Sequence, residues 1–181
     1  MNTSLEIKFP RPVEGECAPY FFRYINKVPN TDIVNYLEEQ KTEFSDFIDS
    51  LSPEQLHYRY APGKWSMAEM IGHVLDTERV FAYRLLCVSR GEQKNLPGFE
   101  QDDYVAGSIA DHLNGNELRD EWNALRHSTI HLCNHMSAEM AARMGKANDN
   151  PVKACAYPYM LAGHVIHHLE IARERYLLPQ N

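Results

Sequence analysis

The sequence predicts an all-α protein, a four-helix bundle with long connecting loops. Four segments of roughly 20 residues repeat their apolar side chains at helical spacing. Breaks rich in proline, glycine and polar residues separate these segments, and we find no convincing strand pattern between them. Four amphipathic helices bury their apolar stripes most simply by packing against one another.

The length of 181 residues predicts one folded domain with an N-terminal arm. Residues 1–30 contain four prolines, so we expect an irregular arm that lies on the domain. Residues 31–181 are expected to form the single bundle domain.

The first two helices are predicted over residues 32–50 and 66–90. Thr31 or Asp32 can cap the first helix, and Ser52 with Pro53 can begin a short helical turn after it. Ser66 can cap the second helix, and Glu69 three residues later completes a capping-box pattern.

The last two helices are predicted over residues 117–144 and 154–178. A long polar connection, residues 91–115, precedes the third helix, and GKANDNP at 145–151 separates it from the fourth. Long connections inside a compact domain are often functional, so Phe99, Asp102, Asp103 and Tyr104 are candidates for covering a site. A plain surface loop is the alternative.

Charge and composition exclude several classes of protein. The net charge is −7 and there is no basic cluster, which argues against a nucleic-acid partner. No apolar run approaches the roughly 20 residues that span a bilayer, and the N-terminus does not resemble a signal peptide, so we expect no membrane partner. Four scattered cysteines without a C-x-x-C pair predict reduced thiols in a cytoplasmic protein.

Histidines in GHVIHHLEIARERY, residues 163–176, are the strongest chemical signal. His164 and His168 are four residues apart, so they lie about 40° apart on one helical face and point toward the bundle. His167 falls at the edge of that face. His73 faces inward on the second helix and can supply a third imidazole to one metal ion. Three hydrogen-bonded core histidines are the alternative, and the residues alone leave both interpretations open.

A second row of histidines is predicted to face solvent. His127, His131 and His135 also follow helical spacing, but they lie opposite the apolar stripe of the third helix. We therefore do not expect them to bind the metal.

Three further residues share the faces of the predicted ligands. Thr77 and Arg84 follow His73 on its stripe, and Tyr157 shares the face of His164, so all three are pocket candidates. Arg84 could hold an anionic group, although a salt-bridged or snorkelling arginine is the alternative. Asp76 or Glu78 could orient an imidazole, with a solvated carboxylate as the alternative.

Two segments resemble a known family. GKWSMAEMIGHVLDTERVFAYR and LAGHVIHHLEIARERY, with YRYAPGKWS before them and the LPGF–DDY loop between them, are similar to the DinB/YfiT-like superfamily. The resemblance implies a four-helix bundle that holds a divalent metal, usually zinc or nickel, on three histidines. Carried over, these are His73, His164 and His168. The resemblance also implies transferases or isomerases that use low-molecular-weight thiols such as bacillithiol or mycothiol.

We therefore expect a metal-binding protein. The function that we favour is a metal-dependent enzyme, such as a low-molecular-weight thiol transferase. A metal-dependent hydrolase and a non-catalytic metal-binding or stress-response protein are the alternatives. The expected partners are a small-molecule substrate or a thiol cofactor. The sequence identifies no catalytic residue and leaves the oligomeric state open, a homodimer included.

Overall fold

The computed structural model describes residues 8–177, and four long helices form its main body. The α-helices in this part are α1 (Phe22–Ile25), α2 (Ile33–Asp49), α3 (Pro53–His57), α4 (Met67–Ser89), α5 (Gln101–Gly107), α6 (Gly115–Asn134), α7 (Ala138–Ala142) and α8 (Ala156–Ile171). The strands are β1 (Asn95–Leu96), β2 (Met144–Ala147) and β3 (Asn150–Lys153). Short 3-10 turns span Pro19–Phe21 and Ala110–His112, and a π-helical turn, Ala172–Tyr176, follows α8.

The four long helices pack in a closed ring. α2 and α4 each make their main bundle contacts with α6 and α8. Consecutive long helices α2 and α4 therefore lie diagonally across the bundle, and so do α6 and α8. This order brings α4 beside α8, the two helices that carry the predicted metal ligands.

Helix starts follow the predicted capping residues. The Asp32 carboxylate accepts hydrogen bonds from the backbone N–H groups of Val34 and Asn35 at 3.0 and 2.9 Å. Ser66 and Glu69 form the predicted capping box, in which each side chain accepts from the backbone N–H of the other. These interactions are local, which is why the sequence predicts them well.

The prediction of one third helix over 117–144 is wrong at its C-terminal end. α6 stops at Asn134, and Ser137 caps the separate helix α7 by accepting from the Met140 N–H at 3.2 Å. Met136 and Met140 continue the apolar spacing across this break, so the periodicity hides it. The signal that reveals the break is the serine cap.

A small sheet means that the fold is not strictly all-α. β1 pairs with β2 in parallel, and β2 pairs with β3 in antiparallel orientation. Asn148 and Asp149 make the turn between β2 and β3 with φ of 47° and 62°, the positive values that a two-residue hairpin requires. The strands have few β-branched residues, and Pro151 is tolerated because β3 lies at the edge of the sheet, so the sequence pattern is weak.

The described part of the N-terminal arm, residues 8–30, packs on the bundle and includes α1. α1 crosses α8 so closely that a Cβ on Gly163 would lie 2.2 Å from the Tyr24 carbonyl oxygen. Arg11 donates to the carbonyl oxygens of Ile25 and Val28, both at 2.7 Å, and fastens the arm after α1. The arm thereby brings Tyr24 to the histidine face of α8.

The structure describes the fourth long helix and its continuation only as far as residue 177. α8 ends at Ile171 and continues as the π-helical turn through Tyr176, while the predicted end at 178 and residues 1–7 of the arm lie outside the described residues. Within residues 8–177 no helix combines the length and apolar character needed to cross a bilayer.

Candidate metal centre

Three imidazoles from two helices converge inside the bundle. His73 on α4 and His164 and His168 on α8 are 3%, 6% and 7% exposed. The Nε2 atom of His164 lies 3.1 Å from the Nε2 atom of His73 and 3.1 Å from that of His168. One ligand atom from each histidine falls within 4.8 Å of the other two.

The spacing of these nitrogens suits a single metal ion. Zinc binds imidazole nitrogen at about 2.0–2.1 Å, so two tetrahedral ligands lie about 3.4 Å apart. The observed distances of 3.1 Å are close to that value. His168 Nδ1 is buried and has no hydrogen-bond partner among the described residues. Hydrogen bonds to these residues therefore do not satisfy both nitrogens of the His168 ring, as they would in an ordinary core histidine.

Burial keeps the three imidazoles neutral at ordinary pH. It lowers the pKa of His73 to about 4, against a smaller opposing influence of the Asp102 carboxylate. Burial, and secondarily the neighbouring imidazoles, lowers the pKa of His164 and His168 well below 6.5. Neutral imidazole is the form that binds metals, so these rings need no deprotonation to serve as metal ligands.

Four other histidines lie where the sequence predicts them. His127 and His131 on α6 and His135 at its C-terminal cap are exposed, and they stand outside the converging group. His167 is half-buried beside His168, with a ring-centroid distance of 5.2 Å, and is not part of the group either.

A cavity of about 480 Å³ opens beside His73 and His164. All three predicted pocket residues, Thr77, Arg84 and Tyr157, line it. Apolar and aromatic side chains make up much of the remaining wall, which includes Phe21, Phe81, Phe99, Val152 and Met160. A concave, mostly apolar site with a few polar groups is the usual form of a small-molecule pocket.

A second cavity of about 520 Å³ opens beside His168. Three cationic side chains line it, Arg23, Lys64 and Arg175, together with aromatic residues. Tyr20, Tyr24, Gln101 and Asp102 line both cavities. The converging imidazoles therefore border two cavities of different character.

Comparison with known proteins identifies the family. The sequence profile of the DinB superfamily matches residues 36–172, which include all three converging histidines. The chain belongs to the DinB superfamily. The family expected from the sequence is thereby confirmed.

A curated relative and two solved structures are similar to this DinB chain. A putative metal-dependent hydrolase of Oceanobacillus iheyensis is 26% identical over 82 residues, which cover 44% of this chain and 47% of that protein. YfiT from Bacillus subtilis, described as a probable metal-dependent hydrolase with an unusual four-helix bundle topology, matches with a TM-score of 0.63 at 14% identity, over 91% of this chain and 92% of YfiT. A mycothiol-dependent maleylpyruvate isomerase matches with a TM-score of 0.62 at 14% identity, over 80% of this chain and 61% of that one. At these identities the structural matches establish the bundle fold.

Neither carboxylate that the sequence offers for orienting an imidazole does so in this DinB chain. Asp76 lies 3.5 Å from Arg79, and Glu78 forms a buried ion pair with Arg126 at 2.9 Å. Both side chains point to partners on α4 or α6 because they lie off the histidine stripe of α4.

Sequence reasoning missed two aromatic residues at the site. The Tyr24 ring lies 5.6 Å from the His164 ring, and the Trp65 ring lies 5.1 Å from the His73 ring, between centroids. Both residues come from segments outside the four long helices, whose placement depends on tertiary packing. Of the loop residues predicted to cover the site, Phe99 and Asp102 line the first cavity, whereas Asp103 and Tyr104 do not.

Proposed function

We propose that this protein is a metal-dependent enzyme that joins a low-molecular-weight thiol to a small electrophilic substrate. We assign the metal, Zn²⁺ or Ni²⁺, to His73, His164 and His168. The observation that carries the proposal is that three neutral, buried imidazoles converge and border two cavities. A reaction of two substrates needs two places to bind beside one reacting centre.

The number and kind of ligands support a catalytic site. Three protein ligands are the pattern of catalytic zinc sites, whereas structural zinc sites have four. Imidazole nitrogen suits zinc and nickel among the divalent metals. A metal sealed from solvent would favour a non-catalytic binding protein, but here cavities of about 480 and 520 Å³ adjoin the histidines. The four free cysteines accord with a reducing cytoplasm.

The side chains around the site would support this chemistry in separate ways. When bound, a divalent ion lowers the pKa of a thiol and favours the nucleophilic thiolate at neutral pH. The imidazoles bind without competing protons, because their pKa values are depressed by burial. Phe81, Phe99 and Met160 line the first cavity with apolar surface, which limits water around the reacting atoms.

Thiol consumption and metal content, measured on the same protein, test the proposal. The protein is purified without a histidine tag, loaded with Zn²⁺ or Ni²⁺, and mixed with monochlorobimane and bacillithiol, mycothiol, cysteine or glutathione. We expect one metal equivalent per chain and thiol conjugation above the uncatalysed rate. His73→Ala should lose both, because two imidazoles from one helix remain.

The matched control replaces His127, His131 and His135 together with Gln. These side chains are exposed and outside the converging group, so metal content and conjugation should stay unchanged. Conjugation that persists at the wild-type rate in His73→Ala would contradict the proposed role of the metal.

Hydrolysis is the second candidate, and the name of the Oceanobacillus relative favours it. Water would then take the place of the thiol as nucleophile. Metal-dependent cleavage of p-nitrophenyl acetate at a rate that does not change when thiols are added, with no conjugate formed, would select this candidate over thiol transfer.

A further inference from the structure

Arg84 is a buried arginine without an acidic partner among the described residues. It is 6% exposed, and its guanidinium donates one hydrogen bond, from Nη2 to the Pro97 carbonyl oxygen at 2.6 Å. The fully buried Arg126, by contrast, is paired with Glu78 at 2.9 Å. Burying a cation without a counter-charge is costly, so an unpaired buried arginine that lines a cavity needs a separate explanation.

Two hydroxyl groups on residues that line the same cavity also lack partners. Thr77 Oγ1 and Tyr157 Oη are buried and have no hydrogen bond to any described residue. Thr129, on α6, donates instead to the carbonyl oxygen of Leu125 at 3.2 Å, as helical threonines commonly do. Burial raises the pKa of Tyr157, so its hydroxyl keeps its proton and can donate it to an acceptor.

We propose that Arg84 and Tyr157 bind the carboxylate of the substrate, that Thr77, one turn from His73, contacts the substrate nearer to the histidines, and that the substrate is a small carboxylic acid with an apolar middle. One guanidinium balances one negative charge, whereas a phosphate dianion in this cavity would keep an uncompensated charge. Phe81, Phe99 and Met160 line the space for the apolar part.

The geometry of α4 and α8 separates the carboxylate from the reacting end. Tyr157 precedes His164 by seven residues on α8, which is about 10 Å along the helix axis. That distance suits a small molecule in a cavity of about 480 Å³. Glu100 and Asp102 line the same cavity, but both are exposed, so the buried charge in it is positive.

The assignment of the reacting end to the histidines rests on the proposed function, but carboxylate binding can be measured without any turnover. Isothermal titration calorimetry of the Zn²⁺-loaded protein compares 4-phenylbutyrate with its uncharged amide and with 3-phenylpropylphosphonate. We expect the carboxylate to bind about 10-fold or more tightly than the amide, the usual effect of a charge-assisted hydrogen bond. The phosphonate should bind more weakly than the carboxylate.

Substitutions test whether Arg84 binds the carboxylate. Arg84→Met should reduce the preference for the carboxylate over the amide to less than about 3-fold, because the apolar stem remains and the charge does not. Tyr157→Phe keeps the ring and should weaken binding of the carboxylate several-fold without changing binding of the amide. Arg79→Met, on the exposed side of α4, is the matched control and should behave as wild type. Zn²⁺ content and far-ultraviolet circular dichroism verify that each variant is folded.

Three results would overturn the inference. They are equal binding of acid and amide by the wild type, tighter binding of the phosphonate, and a carboxylate preference that survives Arg84→Met. If the carboxylate preference survives Arg84→Met but is lost in His73→Ala, the carboxylate binds the metal and not Arg84. A failure of thiol conjugation with normal carboxylate binding would count against the proposed function and leave the carboxylate site standing.

Discussion

Buried polar side chains in this protein differ in how fully they are hydrogen-bonded. Gln40, Glu78 and Arg126 bond to one another or to backbone inside the bundle. Thr77, Tyr157 and the Nδ1 atom of His168 have no partner among residues 8–177, and they lie beside or within the candidate site. Glu78 Oε1 and Arg126 Nε, in the buried ion pair, also lack a partner there, so three of the five unsatisfied buried atoms lie at the candidate site. Because unsatisfied buried groups are costly, the three at this site are typical of function rather than of packing.

The adjacent histidines of α8 give a direct test of ligand identity. His168→Ala should lose bound metal, because its Nε2 atom is one of the three that converge. His167→Ala should keep about one equivalent, because this half-buried side chain stands outside the group. Inductively coupled plasma mass spectrometry of both variants measures the difference. The reverse outcome would mean that the helical face is assigned to the wrong histidine.

The cysteines should differ in reactivity because they differ in burial. Burial raises the pKa of Cys17 and Cys155 to about 11 and that of Cys133 to about 12, so these thiols remain protonated at pH 8. Cys87 is half-buried. We expect Ellman's reagent to modify at most one thiol in the native protein at pH 8 and four in guanidinium chloride. Rapid modification of more than one native thiol would contradict this packing.

At the scale of the elements, a glycine precedes one of the converging histidines on each of the two histidine helices. Gly72 precedes His73 on α4, and a Cβ there would lie 2.5 Å from the Ala110 side chain. Gly163 precedes His164 on α8 and allows α1 to approach. The absence of a side chain at these positions brings neighbouring segments against the helices where the imidazoles converge.

Gly163→Ala should destabilise the protein and weaken metal binding together. The added methyl would meet the backbone of Tyr24 and not a flexible side chain, so α1 or α8 must shift. Overpacking of this kind costs about 1–3 kcal/mol, which lowers the melting temperature by roughly 2–12 °C in a protein of this size. Differential scanning calorimetry and zinc titration measure the two effects.

Gly107→Ala is the matched control for this substitution. Gly107 ends α5, and a Cβ there would have no atom of another segment of residues 8–177 within 4 Å. The melting temperature should therefore be unchanged or slightly higher, since alanine restricts the unfolded chain more than glycine does. Equal melting temperatures for the two alanine variants would refute the close approach of α1 and α8.

At the scale of the whole molecule, one chain of hydrogen bonds joins all four long helices. Gln40 on α2 donates to the Ala162 carbonyl oxygen on α8 at 2.9 Å, and it accepts from Arg126 on α6 at 3.1 Å. Arg126 donates in turn to Glu78 on α4 at 2.9 Å. The chain ties α4 to α8, which together carry the three converging imidazoles, through the other two helices.

Arg126→Met should destabilise the protein strongly, by about 3–5 kcal/mol, because it leaves the Glu78 carboxylate buried without a counter-charge. Adding Glu78→Gln should recover much of that loss, since burying a neutral amide costs less free energy than burying a charge. Urea denaturation of the two single variants and the double variant measures the coupling free energy.

Arg119→Met, also on α6, is the control for this double-mutant cycle. Arg119 pairs with Asp49 near the surface, where ion pairs contribute about 0–1 kcal/mol. Strictly additive effects of the Arg126 and Glu78 substitutions would show that the buried pair is not energetically coupled.

The sequence by itself determined the local features of this protein. The positions of α2, α4 and α8, the caps at Asp32 and Ser66, and the shared face of His164 and His168 all follow from interactions within a few residues. The same spacing argument correctly placed His127, His131 and His135 in solvent. Helical periodicity and capping act over three or four residues, and for that reason they can be read from the chain alone.

Only the tertiary structure decided which segments meet. The pairing of α4 with α8, the approach of Tyr24 and Trp65 to the imidazoles, and the parallel pairing of β1 with β2 join residues distant in the chain. The sequence likewise left open whether Arg84 has an acidic partner, since that depends on what the fold brings beside it. Such contacts depend on the packing of the whole bundle, in which each helix buries a stripe that several partners could cover.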